Sequence, residues 1–349
     1  MVVGAGPVGQ WVSMRFLDCG WEVTLVARPV AASVLRHRGL RVRAPSGART
    51  HTALDVAHDL ATGLAVNVPD LIALCMKSYD VPIVARELAA LTVPGRVPFI
   101  AAFQNGLGSE ATLAEVFGRE CVVAATTTTP LSLSDDGALQ VEREGGDLCW
   151  AACAPDAPAA AGLIRTLTTS GLGQVYDDAD ALKGSKMLLN LIGNASGAIL
   201  DLSAAALFAD RRLFDVELDM LREAIAVLRA SKTAIVNLPS NPAATLATLV
   251  RCVPAALLRP LLRGRFSRGR GNKRPSFYYD LASGRGRSEV AWLNGAVATR
   301  GAALGVPTPV NAALTSTLQG IVEGRVPWAR YQRQPEALLA AVRAGTVRR

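Results

Sequence analysis

The chain has 349 residues, 37 basic side chains against 29 acidic ones for a net charge of +8, and an apolar fraction of 50% with only 5% aromatics. That length suits two domains of ordinary size, and the apolar content is enough to bury sizeable cores, which excludes wholesale disorder. No run of about 18 apolar residues escapes a charge or an amide, and residues 1–20 lack the basic start and cleavage site of a secretory leader, so a soluble, cytoplasmic protein is expected.

In chain order, β-branched runs at 1–3, 22–27, 71–76, 98–103 and 121–125 predict strands, with shorter ones at 138–141 and 148–151. Between them, 10–19, 81–91 and 109–116 carry helical apolar spacing. Strand–helix alternation predicts an α/β, doubly wound parallel sheet over residues 1–175. Helical patterns then dominate, at 180–199, 212–231, 242–250, 288–304 and 309–323, and predict an all-helical C-terminal domain over 176–325. Residues 326–349 read as a C-terminal extension, either an appended helix or a loose basic tail. The segment 232–275, rich in proline, glycine and arginine, reads as a loop-bearing insertion.

Within that insertion, residues 259–274 hold seven basic residues and no acid. Such a run suits nucleic acid, but no aromatic platform or binding motif accompanies it, so a solvated basic loop is the expectation and nucleic acid is not an expected partner. Six cysteines (Cys19, Cys75, Cys121, Cys149, Cys153 and Cys252) are scattered without a CxxC pair, the pattern of reduced core residues. His37, His51 and His58 all precede residue 60, so no metal site or histidine triad is expected. Proton chemistry in the second half must use another group.

Directly after the first strand stands Gly4-Ala5-Gly6-Pro7-Val8-Gly9, a GxGxxG at a strand-to-helix turn. The first glycine permits the tight turn, the second lets backbone approach a pyrophosphate, and the third lets helix and strand pack closely. The second strand ends at Arg28, and no Asp or Glu lies between residues 23 and 54. An acid there would select the ribose 2′-OH of NAD, whereas an arginine suits a 2′-phosphate, so NADP(H) is the expected cofactor. The first strand is short, which leaves open a start a few codons upstream.

Two further patterns stand out. Lys186, Asn190 and Asn194 fall at i, i+4 and i+8, which places them on one stripe of an otherwise apolar helix. Further on, Ser288-Glu289 reads as an N-cap with an acid in the first turn, ahead of Gly305-Val306-Pro307-Thr308-Pro309-Val310-Asn311. Together with the glycine fingerprint, Lys77, Gln104-Asn105-Gly106, Pro275-Ser276 and Asp280, these residues resemble the ketopantoate reductase (2-dehydropantoate 2-reductase) family over most of residues 1–320.

The resemblance implies a Rossmann domain joined to a helical domain and reduction of a 2-oxo acid by NADPH in pantothenate, hence coenzyme A, biosynthesis. It implies that Lys186 is the proton donor and that Asn190 and Asn194 contact substrate. Asn105 would touch both nicotinamide and substrate, Lys77 would lie near the cofactor, and Ser276 would meet the substrate's carboxylate or hydroxyl. Glu289 would partner the cofactor or Lys186. The Phe277-Tyr278-Tyr279 segment is expected to narrow the substrate pocket. The implied partner is a small 2-oxo acid, with no metal and no membrane; a homodimer is left open. Two other readings stay open: a reductase of a different 2-oxo or imino acid, and a non-catalytic protein that senses NADP(H) or binds nucleic acid.

Overall fold

The computed structural model describes residues 1–92, 97–270 and 274–347, without the side chains of 265–270 and 346–347. The chain divides into two compact units. One comprises Met1–Gln104, Gly108–Lys183 and Leu238–Asn241; the other comprises Asn105–Leu107, Gly184–Asn237 and Pro242–Arg349.

The first unit runs β1 (Val2–Val3), α1 (Pro7–Asp18), β2 (Thr24–Val26), α2 (Pro29–Arg38), β3 (Leu40–Ala44), β4 (Gly47–His51), β5 (Asp55–Ala57), α3 (Leu60–Val66), β6 (Leu71–Leu74), α4 (Val81–Leu91), β7 (Phe99–Ala102), α5 (Ser109–Phe117) and β8 (Val122–Thr127). It continues through β9 (Leu131–Leu133), β10 (Leu139–Val141), β11 (Leu148–Ala152), α6 (Pro158–Thr169) and β12 (Gln174–Val175). Among the described residues, one sheet has the order β12-β11-β8-β7-β6-β1-β2-β5, parallel except where β11 runs against β8. The chain leaves β1 for β2 on one side and later fills β6, β7 and β8 on the other, so β1 is the switch point of a doubly wound sheet. The expected Rossmann-type sheet is therefore present.

A second sheet, β4-β3-β10-β9, is only partly visible in the sequence: Leu40-Arg41-Val42-Arg43-Ala44 of β3 does alternate, but with charged residues and over five positions only, and β4, Gly47–His51, has no apolar face. Arg41 and Arg43 on β3 both pair with Asp136, at 3.0 and 2.7 Å, and Arg49 on β4 pairs with Asp18 at 3.0 Å. Charged strands of this kind read as loop. Helix α1 touches β1 and β6 of the large sheet and also β9 and β10, burying Trp11, Val12, Met14 and Phe16. Near it the fully buried Trp150 meets Phe103 edge-on, with ring centroids 5.2 Å apart.

Helix α7 (Ala179–Leu191) follows, and the second unit goes on as α8 (Ala195–Leu200), α9 (Ala204–Ala209), α10 (Arg211–Ala230), α11 (Ala243–Cys252), α12 (Ala255–Arg270), α13 (Ser276–Ala282), α14 (Asn294–Ala303), α15 (Pro309–Val322) and α16 (Pro335–Val347). Helix α10 buries Leu213, Phe214, Leu218, Met220, Leu221, Ala224, Ile225 and Leu228, a stripe at helical spacing that runs through the core of this unit.

Three sequence expectations need correction here. The helix expected over 180–199 breaks at Gly193, whose φ is +59°, so Asn194 does not continue the stripe of Lys186 and Asn190. The helix expected over 288–304 is a short 3₁₀ turn at Glu289–Trp292 followed by α14. The insertion 232–275 is largely helical in its described part, as α11 and α12. Leu258 and Leu262, at i and i+4, are buried in the core, and their burial holds α12 together through Pro260. The basic run therefore lies mostly on a helix, with residues 271–273 outside the described residues. Arg259 donates to the Ala209 carbonyl at 2.8 Å, and Arg274 pairs with Asp201. The last segment packs against α8: Trp328 donates to the carbonyls of Ala198 and Ile199, and α16 buries Leu338, Leu339 and Val342.

Candidate active site

The glycine turn sits at the carboxyl end of β1, the switch point where open α/β sheets take their ligands. The three glycines differ in what a side chain would meet. Gly4 has φ +105°, which a side chain rarely adopts, and its N–H donates to the Val26 carbonyl at 2.9 Å. A Cβ on Gly9 would lie 1.8 Å from the Gly4 carbonyl oxygen, so only glycine lets α1 close on the turn. A Cβ on Gly6 would meet nothing within 4 Å. Gly6 is also the uncapped N-cap of α1, with Pro7 at the first turn. Open space before a helix N-terminus is what a pyrophosphate requires. Ala5 and Val8 line the same turn, half-buried against the core, and the Ala5 carbonyl accepts from Gln10 Nε2 at 3.1 Å. Behind Gly9 the Cys75 thiol is half-buried, and desolvation pushes its pKa up, so it stays a thiol.

Arg28 stands at the N-cap of α2, exposed, and its side chain makes no hydrogen bond or ion pair among the described residues. Lys77, half-buried, caps the 3₁₀ turn Ser78–Asp80 after β6. Gln104 is buried and donates from Nε2 to the carbonyls of Leu74 and Met76, at 2.8 and 3.1 Å, tying the end of β7 to the end of β6.

Sequence reading missed Lys183. It is 3% exposed and pairs with Glu110 of α5 at 2.8 Å. Its ammonium also donates to the carbonyls of Ala102, Gln104 and Ala125, at 3.1, 2.5 and 3.2 Å, which fastens the ends of β7 and β8 beside Asn105. Three residues before Lys186 on the same helix, it looked like an ordinary solvated lysine.

Asp178 of the first unit caps the start of α7 through Oδ1, which accepts from the N–H groups of Asp180 and Ala181 at 2.8 and 3.2 Å, and from Gly184 the helix belongs to the second unit. Lys186 and Asn190 lie one turn apart on α7, both half-buried. Asn190 Nδ2 donates to Asn105 Oδ1 at 2.8 Å. Asn105 belongs to a short loop in which Leu107 N donates to the Trp292 carbonyl at 2.9 Å, and a Cβ on Gly106 would lie 2.1 Å from that same oxygen. The QNG loop is thus pinned to the turn that begins at the buried Glu289, whose neighbour Ser288 caps the turn as expected, accepting from Val290 N at 3.2 Å.

Asn194, 4% exposed, accepts from Ser276 Oγ at 3.0 Å and from Phe277 N at 3.1 Å through Oδ1. A peptide N–H can only donate, so the amide must turn its oxygen toward α13. Asn105 is thereby joined to Asn190, and Asn194 to Ser276. The Phe277-Tyr278-Tyr279 segment differs from expectation. Phe277 is a core residue, Tyr278 meets Trp328 edge-on with centroids 5.7 Å apart and lies under Arg274, and Tyr279 is largely exposed. The 305–311 motif is a structural lock. Glu223 accepts from Val310 N, Asn311 N and Asn311 Nδ2 at 2.8, 2.9 and 2.7 Å, while burial pushes its own pKa up.

Among the described residues there is no group of three or more His, Cys, Asp or Glu that could hold a metal ion, and no helix is long and apolar enough to cross a membrane.

Comparison with known proteins gives consistent results. The family model described as ketopantoate reductase PanE/ApbA matches residues 1–154, and its C-terminal counterpart matches residues 178–322. The 2-dehydropantoate 2-reductase of Archaeoglobus fulgidus is 24% identical over 324 residues, 93% of this chain and 97% of that protein. Among solved structures, the PanE/ApbA family ketopantoate reductase of Ralstonia eutropha JMP134 is similar with a TM-score of 0.74 at 25% identity, covering 93% of this chain and 99% of that one. A D-mandelate dehydrogenase solved with NADH and anilino(oxo)acetate shares the fold, with a TM-score of 0.73 at 19% identity over 93% of this chain and 99% of its own.

Proposed function

Since the chain belongs to the ketopantoate reductase family, oxidoreductases acting on CH–OH groups, we propose that it reduces 2-dehydropantoate to pantoate with NADPH, using Lys186 as proton donor. The observation that carries this reading is the polar row of the helical unit: Lys186 a turn from the Asn190–Asn105 pair, and Asn194 bonded to Ser276.

When bound, the nicotinamide supplies a hydride to the 2-oxo carbon. The fingerprint turn Gly4 to Gly9 would hold the pyrophosphate, and Arg28 would meet the 2′-phosphate. Lys77, after β6, would add a positive charge for the cofactor, and Glu289, in the helical unit, would partner Lys186 or the cofactor. Reduction leaves charge on the former carbonyl oxygen, and Lys186 Nζ stabilises that charge and delivers a proton to it. Asn190 fixes the amide of Asn105, so that Asn105 is oriented before substrate arrives. Asn194 has its oxygen occupied, so it meets the substrate as a donor through Nδ2, beside the Ser276 hydroxyl. None of these residues requires a metal. Six free cysteines support a reducing, cytoplasmic setting. A homodimer is compatible with this reading.

The test is the ratio of kcat/KM for NADPH and NADH with 2-dehydropantoate as substrate. NADPH should be favoured by about 1–3 kcal/mol, the worth of a charge-assisted contact to a phosphate, and Arg28→Ala should erase most of that preference. Equal efficiency with both cofactors in the unaltered protein would refute the assignment of Arg28.

A further inference from the structure

The break at Gly193 leaves an N–H that a continuous helix would satisfy with the carbonyl four residues earlier. It donates instead to Oε2 of Glu217 at 2.6 Å, and Ser196 Oγ donates to Oε1 of the same carboxylate. Glu217 lies on α10 and is 1% exposed, among Leu213, Phe214, Leu218 and Leu221 of the core stripe. A carboxylate at that depth is costly to bury, and an apolar residue would suit the stripe better. These two contacts fall on either side of one residue, Asn194.

We propose that Glu217 is a positioning residue for substrate: by bridging Gly193 and Ser196 it fixes the helix break, and thereby the direction in which Asn194 offers its amide N–H groups. The argument rests on Asn194 being a substrate contact, as in the reading above. Asn194 Oδ1 is held by Ser276 and Phe277 on α13, while its Nδ2 makes no hydrogen bond among the described residues. The α13 bonds hold only the side chain; the backbone of residue 194 is tied to its own chain by Asn194 N donating to the Leu191 carbonyl at 3.2 Å and by Ala198 N donating to the Asn194 carbonyl at 3.0 Å, which leaves the turn at Gly193 between α7 and α8 to be fixed from outside. Glu217 fixes it from the other side.

The chemistry sets the variants apart. Glu217→Gln can still accept from Gly193 N through its oxygen, and Ser196 can reverse its hydroxyl to accept from the new amide nitrogen. Glu217→Met fills similar volume but satisfies neither group.

The experiment measures KM and kcat for 2-dehydropantoate, NADPH affinity by fluorescence titration, and melting temperature, for Asn194→Ala, Glu217→Gln, Glu217→Met and the Asn194→Ala/Glu217→Met pair. Loss of the substrate hydrogen bond in Asn194→Ala should raise KM by roughly tenfold to a hundredfold. Glu217→Met should raise KM by about tenfold with NADPH affinity unchanged, Glu217→Gln should stay within about twofold of the parent, and Glu217→Met should add little in the Asn194→Ala background. If Glu217→Met is too unstable to assay, Ser196→Ala, which removes one of the two carboxylate contacts, should raise KM by about threefold. A raised KM in Asn194→Ala with no change in Glu217→Met or Ser196→Ala overturns the role of Glu217 and leaves the substrate contact standing. An additive effect in the double variant, or an equal loss of NADPH binding in Glu217→Met, overturns it as well. An unchanged KM in Asn194→Ala removes the substrate contact itself, and this proposal with it.

Discussion

Lys186→Ala is expected to lower kcat by roughly 10²–10⁴, the scale for removing a positioned general acid, while NADPH affinity stays within about twofold. No histidine follows His58, so the second half of the chain has no imidazole to take over the proton. Lys186 sits one turn before Asn190, which is itself bonded to Asn105, so its ammonium is carried by the same rigid helix that orients the amides. The loss should appear in kcat, because the charge that Lys186 meets exists only once the carbonyl is being reduced. Steady-state kinetics with a parallel fluorescence titration of NADPH separates the two effects. An unchanged kcat would return Lys186 to an ordinary helix lysine.

Gly9→Ala should act on the other unit. Its new Cβ would fall 1.8 Å from the Gly4 carbonyl oxygen, and backbone cannot give way as a flexible side chain can. The turn must open or α1 must move off β1, at a cost of about 1–3 kcal/mol or more, which is typical of overpacking. Either movement displaces the N-terminus of α1 from the pyrophosphate. NADPH affinity should therefore fall by about a hundredfold together with a lower melting temperature. Gly6→Ala is the informative partner, since its Cβ meets no protein atom within 4 Å. It should leave the melting temperature nearly unchanged and still weaken NADPH, because the methyl occupies the space proposed for the phosphates. Equal stability and equal NADPH affinity in both variants would contradict the assignment of this turn.

What could be read from the sequence, and what could not, follows from how each feature is stabilised. The parallel strands are apolar runs buried on both faces, and Gly4 and Gly9 are demanded by local sterics, so both show in a short window. The charged strands β3 and β4 are held by Arg41, Arg43 and Asp136, and by Arg49 and Asp18, partners far apart in sequence. Leu40 and Val42 do alternate with arginines in β3, but the run is short, and β4 has no apolar face, so the pair passes for loop in a short window. Pro260 and the arginines around it suggested a loop, yet burial of Leu258 and Leu262 outweighed the proline and made α12.

The candidate site divides in the same way. Residue types and spacing singled out Lys186, Asn190 and Asn194, but regular helical spacing hid the break at Gly193. The carboxylate of Glu217, from another helix, accepts the N–H that the break leaves over. Lys183 was invisible for a similar reason, since its acceptors are backbone carbonyls that no side-chain pattern records.

The central claim is that this chain moves a hydride from NADPH to the 2-oxo carbon of ketopantoate. Its most direct test uses NADPH carrying deuterium at the transferred position of the nicotinamide, with 2-dehydropantoate and the unaltered protein, and mass analysis of the product. The account predicts pantoate one mass unit heavier, with the label at C2, formed in step with NADPH oxidation and lost in Lys186→Ala. Unchanged NADPH and no labelled pantoate, under conditions where a panel of other 2-oxo acids is reduced or none is, would contradict it.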